Sequence, residues 1–160
     1  MKEIQINSTI QVYDSVQELP KNVQELMEKA VEARKKAYAP YSKFQVGAAL
    51  MLANGEAVSG NNQENAAYPS GLCAERVAVF YAGAHYPGET VEMMAISATS
   101  LDKPVTTPVP PCGACRQAIA EYEIKQEKPI ALYFMGEKGA VYKTNSLKDL
   151  LPLIFDGSML

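Results

Sequence analysis

The sequence predicts an α/β fold, with helices packed on a mixed, roughly five-stranded sheet and a strand extension at the N-terminus. Three observations carry this. Hydrophobic periods of two and of 3.6 residues alternate along the chain in the order β-extension, then α-β-β-α-β-α-β-β-α, the pattern of helices covering a mixed sheet. Proline, glycine and asparagine fall at the joints between those periods. The chain has 160 residues, 48% hydrophobic and 21% charged, enough for one domain with a real core and ordinary for a globular protein.

The elements follow in order. Ile4, Ile6, Ile10 and Val12 alternate with Gln5, Asn7, Thr9 and Gln11, which predicts one long strand or two short ones with one buried face. Pro20 then separates an N-terminal β extension, residues 1–20, from a main domain, residues 21–160. From Asn22, the residues Val23, Leu26, Met27, Ala30, Ala33 and Ala37 share one face of an amphipathic helix. Ala39-Pro40 ends it, because a residue before proline avoids the α region. Phe44 to Leu52 is a strand, and Asn54-Gly55 is a strong hairpin signal leading into a return strand from Ala57 to Gly60. A helix from about Cys73 to Tyr81 or beyond is apolar almost all round, which predicts burial. Val91 to Ala98 is a strand. Thr106 to Pro111 carries three prolines and stays extended until a third helix begins at Cys112 and runs to about Tyr122. Ile130 to Met135 and Val141 to Thr144 are strands, and Ser146 caps a last short helix that Pro152 stops after Leu151.

Charge and composition exclude several classes of function. Net charge is −3 and the pI about 5.2, so no basic footprint for nucleic acid is present. No apolar run approaches the roughly 20 residues that span a bilayer, and Met1 to Asn7 lacks the apolar core of a signal peptide. A cytoplasmic location is expected. The odd cysteine count, three, argues against a disulfide framework and suits a reducing compartment.

Those cysteines fall in two motifs, Cys73-Ala74-Glu75 and Pro111-Cys112-Gly113-Ala114-Cys115. Three thiolates make an incomplete tetrahedral zinc shell, and a zinc site with three protein ligands keeps a fourth position for water, the mark of catalytic zinc. Both motifs sit where helices begin, and the free N–H groups and partial positive charge there favour thiolates. Glu75, beside such a site, is placed to move protons. A structural zinc site would need a fourth ligand. The only histidine, His85, lies twelve positions after Cys73, on the order of 18 Å away along a helix at 1.5 Å per residue. A redox pair at Cys112 and Cys115 also fits a helix start, but it leaves Cys73 and Glu75 unexplained. Glu75 alone could simply complement a helix dipole. Arg76 could be a surface arginine. Three thiolates and one Zn²⁺ sum to one net negative charge, however, and a guanidinium near the sulfurs would offset it.

Four motifs in order carry a resemblance over about Asn22 to Phe155: Tyr41-Ser42-Lys43-Phe44-Gln45-Val46-Gly47-Ala48-Ala49, Asn62-Gln63-Glu64-Asn65-Ala66, Cys73-Ala74-Glu75-Arg76 and Pro111-Cys112-Gly113-Ala114-Cys115-Arg116-Gln117. The chain resembles the cytidine deaminases of the three-cysteine, homotetrameric type, zinc enzymes with a catalytic glutamate. The resemblance implies a three-layer α-β-α sandwich and hydrolytic deamination of cytidine and 2′-deoxycytidine in pyrimidine salvage. It implies one zinc per subunit on Cys73, Cys112 and Cys115, with Glu75 shuttling protons. It implies that Asn62 and Glu64 bind the ribose 3′-hydroxyl, that Phe44 stacks near the pyrimidine, and that the backbone of Ala74 meets the exocyclic amine. It implies that Phe155 reaches a neighbouring subunit's site in a homotetramer. Phe44 and Phe155 also have plain packing explanations, as a core residue of a strand and as a hydrophobic staple. Two features depart from the common pattern: the first twenty residues, and Pro110 where serine is common. A blasticidin S deaminase-like enzyme is the nearest alternative, although Arg76 and Phe155 favour the nucleoside enzyme. Polynucleotide-editing deaminases typically carry histidine at the position of Cys73 and need a basic channel. A non-catalytic, zinc-stabilised binding module is the alternative from a different class.

Overall fold

The computed structural model describes all residues, 1–160. Its centre is a six-stranded sheet of β1 (Gln11–Tyr13), β2 (Phe44–Leu52), β3 (Ala57–Asn61), β4 (Val91–Ser100), β5 (Ala131–Met135) and β6 (Val141–Thr144). The spatial order is β1-β6-β5-β4-β2-β3. Only β4 and β5 are parallel; every other pair is antiparallel. Helix α1 (Lys21–Arg34) lies against one face, and α2 (Ala74–His85) and α3 (Gly113–Lys125) lie against the other. The predicted mixed sheet between helical layers is therefore present, its sixth strand being the short N-terminal extension.

The two cores follow from alternation along the strands. Ala48, Leu50, Met94, Ile96, Leu132 and Phe134 meet Ala78, Val79, Ile119 and Ala120 of α2 and α3. Their neighbours on the opposite face, Ala49, Ala95, Tyr133 and Met135, meet Val23, Leu26, Met27 and Ala30 of α1. Two glycines let helices approach the sheet closely. A Cβ on Gly47 would lie 2.0 Å from the Ala30 carbonyl oxygen, so α1 rests directly on β2. A Cβ on Gly60 would lie 2.6 Å from the Ala78 nitrogen and 2.7 Å from the Ala74 oxygen, so the first turns of α2 press onto β3. That contact fixes the depth at which the Cys73-Ala74-Glu75 motif sits.

Three expectations are corrected. The alternation from Ile4 to Val12 does not make a half-buried strand: only Gln11–Tyr13 pair, against Val141–Lys143, and Ile4 and Val12 are 88% and 58% exposed. Helix α2 is not buried all round, because Phe80 and Tyr81 are 45% and 47% exposed on its outer side. The short helix after Ser146 is a single 3₁₀ turn, Leu147–Asp149, whose N-cap serine accepts from the Lys148 amide. Smaller shifts occur at helix ends: α1 stops at Arg34 and α2 runs on to His85.

Candidate active site

Cys73 is the N-cap of α2 and Cys112 the N-cap of α3, while Cys115 lies in the first turn of α3. Each motif places its cysteine where the chain turns from extended backbone into helix. Packed side by side, α2 and α3 bring the three sulfurs together, all within 4.8 Å of one another. The Sγ–Sγ separations are 3.9 Å for Cys73–Cys112 and 3.5 Å for Cys112–Cys115. They bracket the ~3.8 Å edge of a tetrahedron with zinc–sulfur bonds of about 2.3 Å. Three thiols and no fourth side chain make a donor set that fits one zinc ion per chain. His85 stands at the far end of α2, exposed and stacked on Tyr81 with ring centroids 3.8 Å apart, as its position in the sequence requires.

Electrostatics divides the thiols. The Cys73 thiol is lowered to about 5, chiefly by hydrogen bonding from Cys115 and, against its burial, by Arg76 and Cys112. Cys115 is pushed up, mainly by that same bond to Cys73 and by burial, with the nearby Glu75 carboxylate adding to both. Without metal, the pair shares a proton, and Arg76 favours the charge on Cys73. Glu75 is 4% exposed, and its carboxyl is raised to about 7. Burial is the main cause and the Cys73 charge adds, while its own backbone amide, Cys115 and Arg76 oppose. A carboxyl group balanced near neutrality can both take and give a proton. Arg76 is half-buried. Burial works to lower its pKa, but attraction to Cys73 and Cys115 outweighs it and raises it. Its Nε is buried with no hydrogen-bond partner, a cationic donor held next to the sulfurs.

A cleft of about 410 Å³ opens beside Cys73 and Arg76. Asn62 and Glu64 line it together with Tyr41, Ser42, Tyr68 and Leu72. The segment after β3 is held on both sides, by bridges from Gln63 to Tyr38 and to Leu72. Asn62 and Glu64, two residues apart, therefore share a side. Asn62 accepts from the Val46 amide at 2.8 Å through Oδ1 and donates to the Phe44 carbonyl at 2.9 Å through Nδ2. That leaves its second Nδ2 hydrogen free. The Glu64 carboxylate accepts from the amides of Tyr41 (2.9 Å) and Ser42 (3.2 Å) and from the Ser42 hydroxyl. Burial would raise its pKa, but these three bonds outweigh that and lower it, so Glu64 is held as an anion.

The structure thus brings Cys73, Cys112, Cys115, Glu75 and Arg76 into one cluster, with Asn62 and Glu64 in the adjoining cleft. Ala74 is fully buried behind it, and Phe44 is half-buried at the start of β2, where Asn62 bonds its carbonyl. Phe155 is apart from these: the residue is 56% exposed, it does not line the cleft, and its carbonyl accepts from Gln117 at 2.9 Å. Tyr41, Ser42, Tyr68 and Leu72 were not singled out in the sequence, although Tyr41 and Ser42 stand in the motif ahead of Phe44.

The family model of the cytidine and deoxycytidylate deaminase zinc-binding region matches residues 20–128. The chain belongs to the cytidine and deoxycytidylate deaminase family. It is 46% identical to the cytidine deaminase of Halalkalibacterium halodurans over 98 residues, 61% of this chain and 70% of that one. It is 40% identical to the cytidine deaminase of Sporosarcina psychrophila over 134 residues, 84% of this chain and 91% of that one. The crystal structure of cytidine deaminase from Burkholderia pseudomallei superposes with a TM-score of 0.71 at 40% identity, covering 86% of this chain and all of that one. The family match begins at residue 20, so residues 1–19 lie outside it.

Proposed function

We propose that this chain is a zinc-dependent hydrolase that converts cytidine and 2′-deoxycytidine, with water, to uridine and 2′-deoxyuridine and ammonia, in pyrimidine salvage. The observation that carries the reading is the triangle of thiols with the buried carboxyl of Glu75 beside it, adjoining through Cys73 and Arg76 a cleft with a free amide donor and a fixed carboxylate. Residues 21–160 form the catalytic domain and residues 1–20 an extension to it.

Cys73, Cys112 and Cys115 would hold the zinc, and two helix N-termini stabilise their thiolates. Bound zinc supplies Lewis-acid activation of a water molecule near C4 of the ring. Glu75 takes a proton from that water and passes it to N3. As the oxygen bonds to C4, the C4–N4 bond weakens; Glu75 then takes the second proton of the added water, from the C4 hydroxyl, and delivers it to the amine, which leaves as ammonia while the C4 carbonyl forms. Burial shifts the Glu75 carboxyl upward, the direction that suits a group that must both take and give a proton. The backbone of Ala74 faces the departing amine, and Phe44 flanks the pyrimidine. Arg76 offsets the net negative charge of three thiolates on one Zn²⁺.

Asn62 and Glu64 together recognise a hydroxyl. The free Nδ2 hydrogen of Asn62 donates to the ribose 3′-oxygen, and the 3′-hydroxyl donates to a remaining lone pair of Glu64. A site built for that bond rejects analogues without the hydroxyl. Phe155, exposed on its own chain, reaches a neighbouring subunit's site in a homotetramer. The exposed Phe80 and Tyr81 on α2 support association. No helix is long and apolar enough to cross a membrane. Three free cysteines support a cytoplasmic location.

The test is ammonia release by purified protein on cytidine, deoxycytidine, cytosine and blasticidin S, with and without a chelator. Activity on both nucleosides, little on cytosine, and loss on chelation are expected. Turnover of blasticidin S alone, or none with zinc bound, would overturn the reading.

A further inference from the structure

Side chains of α3 that take no part in the chemistry hold the C-terminal segment. Arg116 donates from Nε to the Pro111 carbonyl at 2.8 Å and from Nη1 to the Leu150 carbonyl at 2.7 Å. Pro111 immediately precedes Cys112, and Leu150 begins the stretch that leads to Phe155. The next residue, Gln117, donates from Nε2 to the Phe155 carbonyl at 2.9 Å. Lower on the same helix, the buried carboxylate of Glu123 accepts from the Leu147 amide at 3.0 Å, the Ile130 amide at 2.8 Å and the Ser146 hydroxyl. The segment from Ser146 to Phe155 is thus pinned to α3 at successive points.

Both Arg116 contacts are to main-chain carbonyls. The ion pairs in the structure are Lys35–Glu32 and Lys43–Asp102, so Arg116 has no carboxylate partner. Its guanidinium serves two carbonyls from distant stretches of chain. A guanidinium is a rigid planar fork, so the directions of its Nε and Nη1 donors are fixed relative to each other. Bonding one carbonyl with each sets the Leu150 carbonyl relative to the Pro111 carbonyl. The charge on the donor makes both bonds stronger than neutral ones.

We propose that Arg116 is a positioning residue that ties the cysteine loop to the C-terminal segment, with Gln117 as a second tie next to Phe155. The helix that carries two of the three cysteines thereby also sets where Phe155 is presented. A neighbouring subunit would receive an aromatic whose position is referred to this chain's own metal loop. The inference rests on the roles proposed above for the cysteines and for Phe155.

Three variants test it: Arg116→Lys, which keeps charge but loses the fork, Arg116→Gln, and Gln117→Leu. The readouts on zinc-loaded protein are the rate of zinc release to a chromogenic chelator, amide hydrogen exchange over Leu153–Asp156, and kcat and KM for cytidine. Arg116→Lys and Arg116→Gln are expected to release zinc about tenfold faster or more, the usual scale for loss of a group supporting metal ligands, and to speed exchange in the C-terminal segment at the same time. Gln117→Leu is expected to speed exchange and raise KM while zinc release keeps its wild-type rate. Faster zinc release with unchanged exchange would confine Arg116 to the loop and overturn the tie. Unchanged exchange in Gln117→Leu would overturn the second tie; if neither Arg116 variant folds, wild-type protein with and without zinc decides the first, faster exchange over Leu153–Asp156 on zinc removal supporting it and unchanged exchange overturning it. A wild-type protein without deaminase activity would remove the proposed reaction, yet exchange and zinc release would still decide whether the tie exists.

Discussion

Replacing Glu75 with glutamine in metal-stripped protein should stabilise the fold at alkaline pH and do nothing at acid pH. The unperturbed carboxyl titrates at 4.5, and in the fold it is raised to about 7, chiefly by burial. A raised carboxyl favours the folded state when neutral. Its contribution is full below the unfolded value of 4.5 and declines as pH rises through the folded value of about 7, because ionisation is then easier in the unfolded chain. The difference of about 2.5 pH units corresponds to about 3 kcal/mol at 1.36 kcal/mol per unit. Glutamine has the shape of the protonated acid and never ionises. The stability gap between Glu75→Gln and wild type should therefore be near zero at pH 4.5 and grow to about 3 kcal/mol by pH 8. At roughly 3 °C per kcal/mol for a domain of this size, that is a rise in Tm of about 9 °C. Urea denaturation in a chelating buffer at intervals from pH 4.5 to 8.5 measures it. A gap that does not change with pH would refute the claim that burial holds this carboxyl near neutrality, and with it the basis for Glu75 as both acid and base.

In the zinc-loaded protein, Glu75→Ala should retain zinc by metal analysis and lose at least ~10²-fold in kcat on cytidine, the low end of what general acid/base groups contribute. Arg76→Gln removes the cation beside the sulfurs; kcat should fall, and the rising limb of the pH–rate profile should move to higher pH, since a more negative site lowers the pKa of bound water less. Gly60→Ala puts a methyl group 2.6 Å from the Ala78 nitrogen. It should cost about 1–3 kcal/mol by denaturation and, because α2 must lift, loosen zinc as well. Asn62→Leu leaves the Val46 amide and the Phe44 carbonyl without partners. It should cost about 1–3 kcal/mol while also raising KM.

The sheet and the three α-helices were legible because their hydrophobic periods are strong and their ends carry proline, glycine or asparagine. The N-terminal alternation misled for a physical reason. A period of two marks a strand with one apolar side, but burial needs something to pair with and something to cover that side. The partner strand β6 is only four residues long and is paired over three, so Ile4 and Ile6 run past it into solvent. The final helix shrank to one 3₁₀ turn because Ser146, Leu147 and Thr144 spend their hydrogen bonds on Glu123 and Asp149. The exposed ring face of α2 was invisible to composition, since an apolar side chain looks the same whether it meets a core or an open surface. The thiols and Glu75 were legible because their chemistry lies in residue type and spacing. Asn62 and Glu64 are polar residues in a polar stretch, and only the motif singled them out. Their geometry depends on Tyr38, Tyr41 and Leu72 folding around them.

Both halves of the candidate site obey one electrostatic rule: each charged group is set by backbone amides or by its depth. Glu64 stays an anion because two main-chain amides and a hydroxyl point at it. Glu75, buried beside a thiolate, is pushed toward neutrality although it lies in the first turn of a helix, where the dipole would favour its charge. Two carboxylates in one site are thus shifted in opposite directions, one held as an anion and the other toward neutrality, as the proposed roles of hydroxyl acceptor and proton carrier require. Exchanging their environments, not their identities, would exchange their roles. Opening the wall around Glu75, as Gly60→Ala would by lifting α2, should lower its pKa toward 4.5 and impair proton return to the leaving amine even where zinc is still held. A Gly60→Ala enzyme that keeps its zinc and shows the wild-type pH–rate profile would mean that the depth of α2 does not tune Glu75.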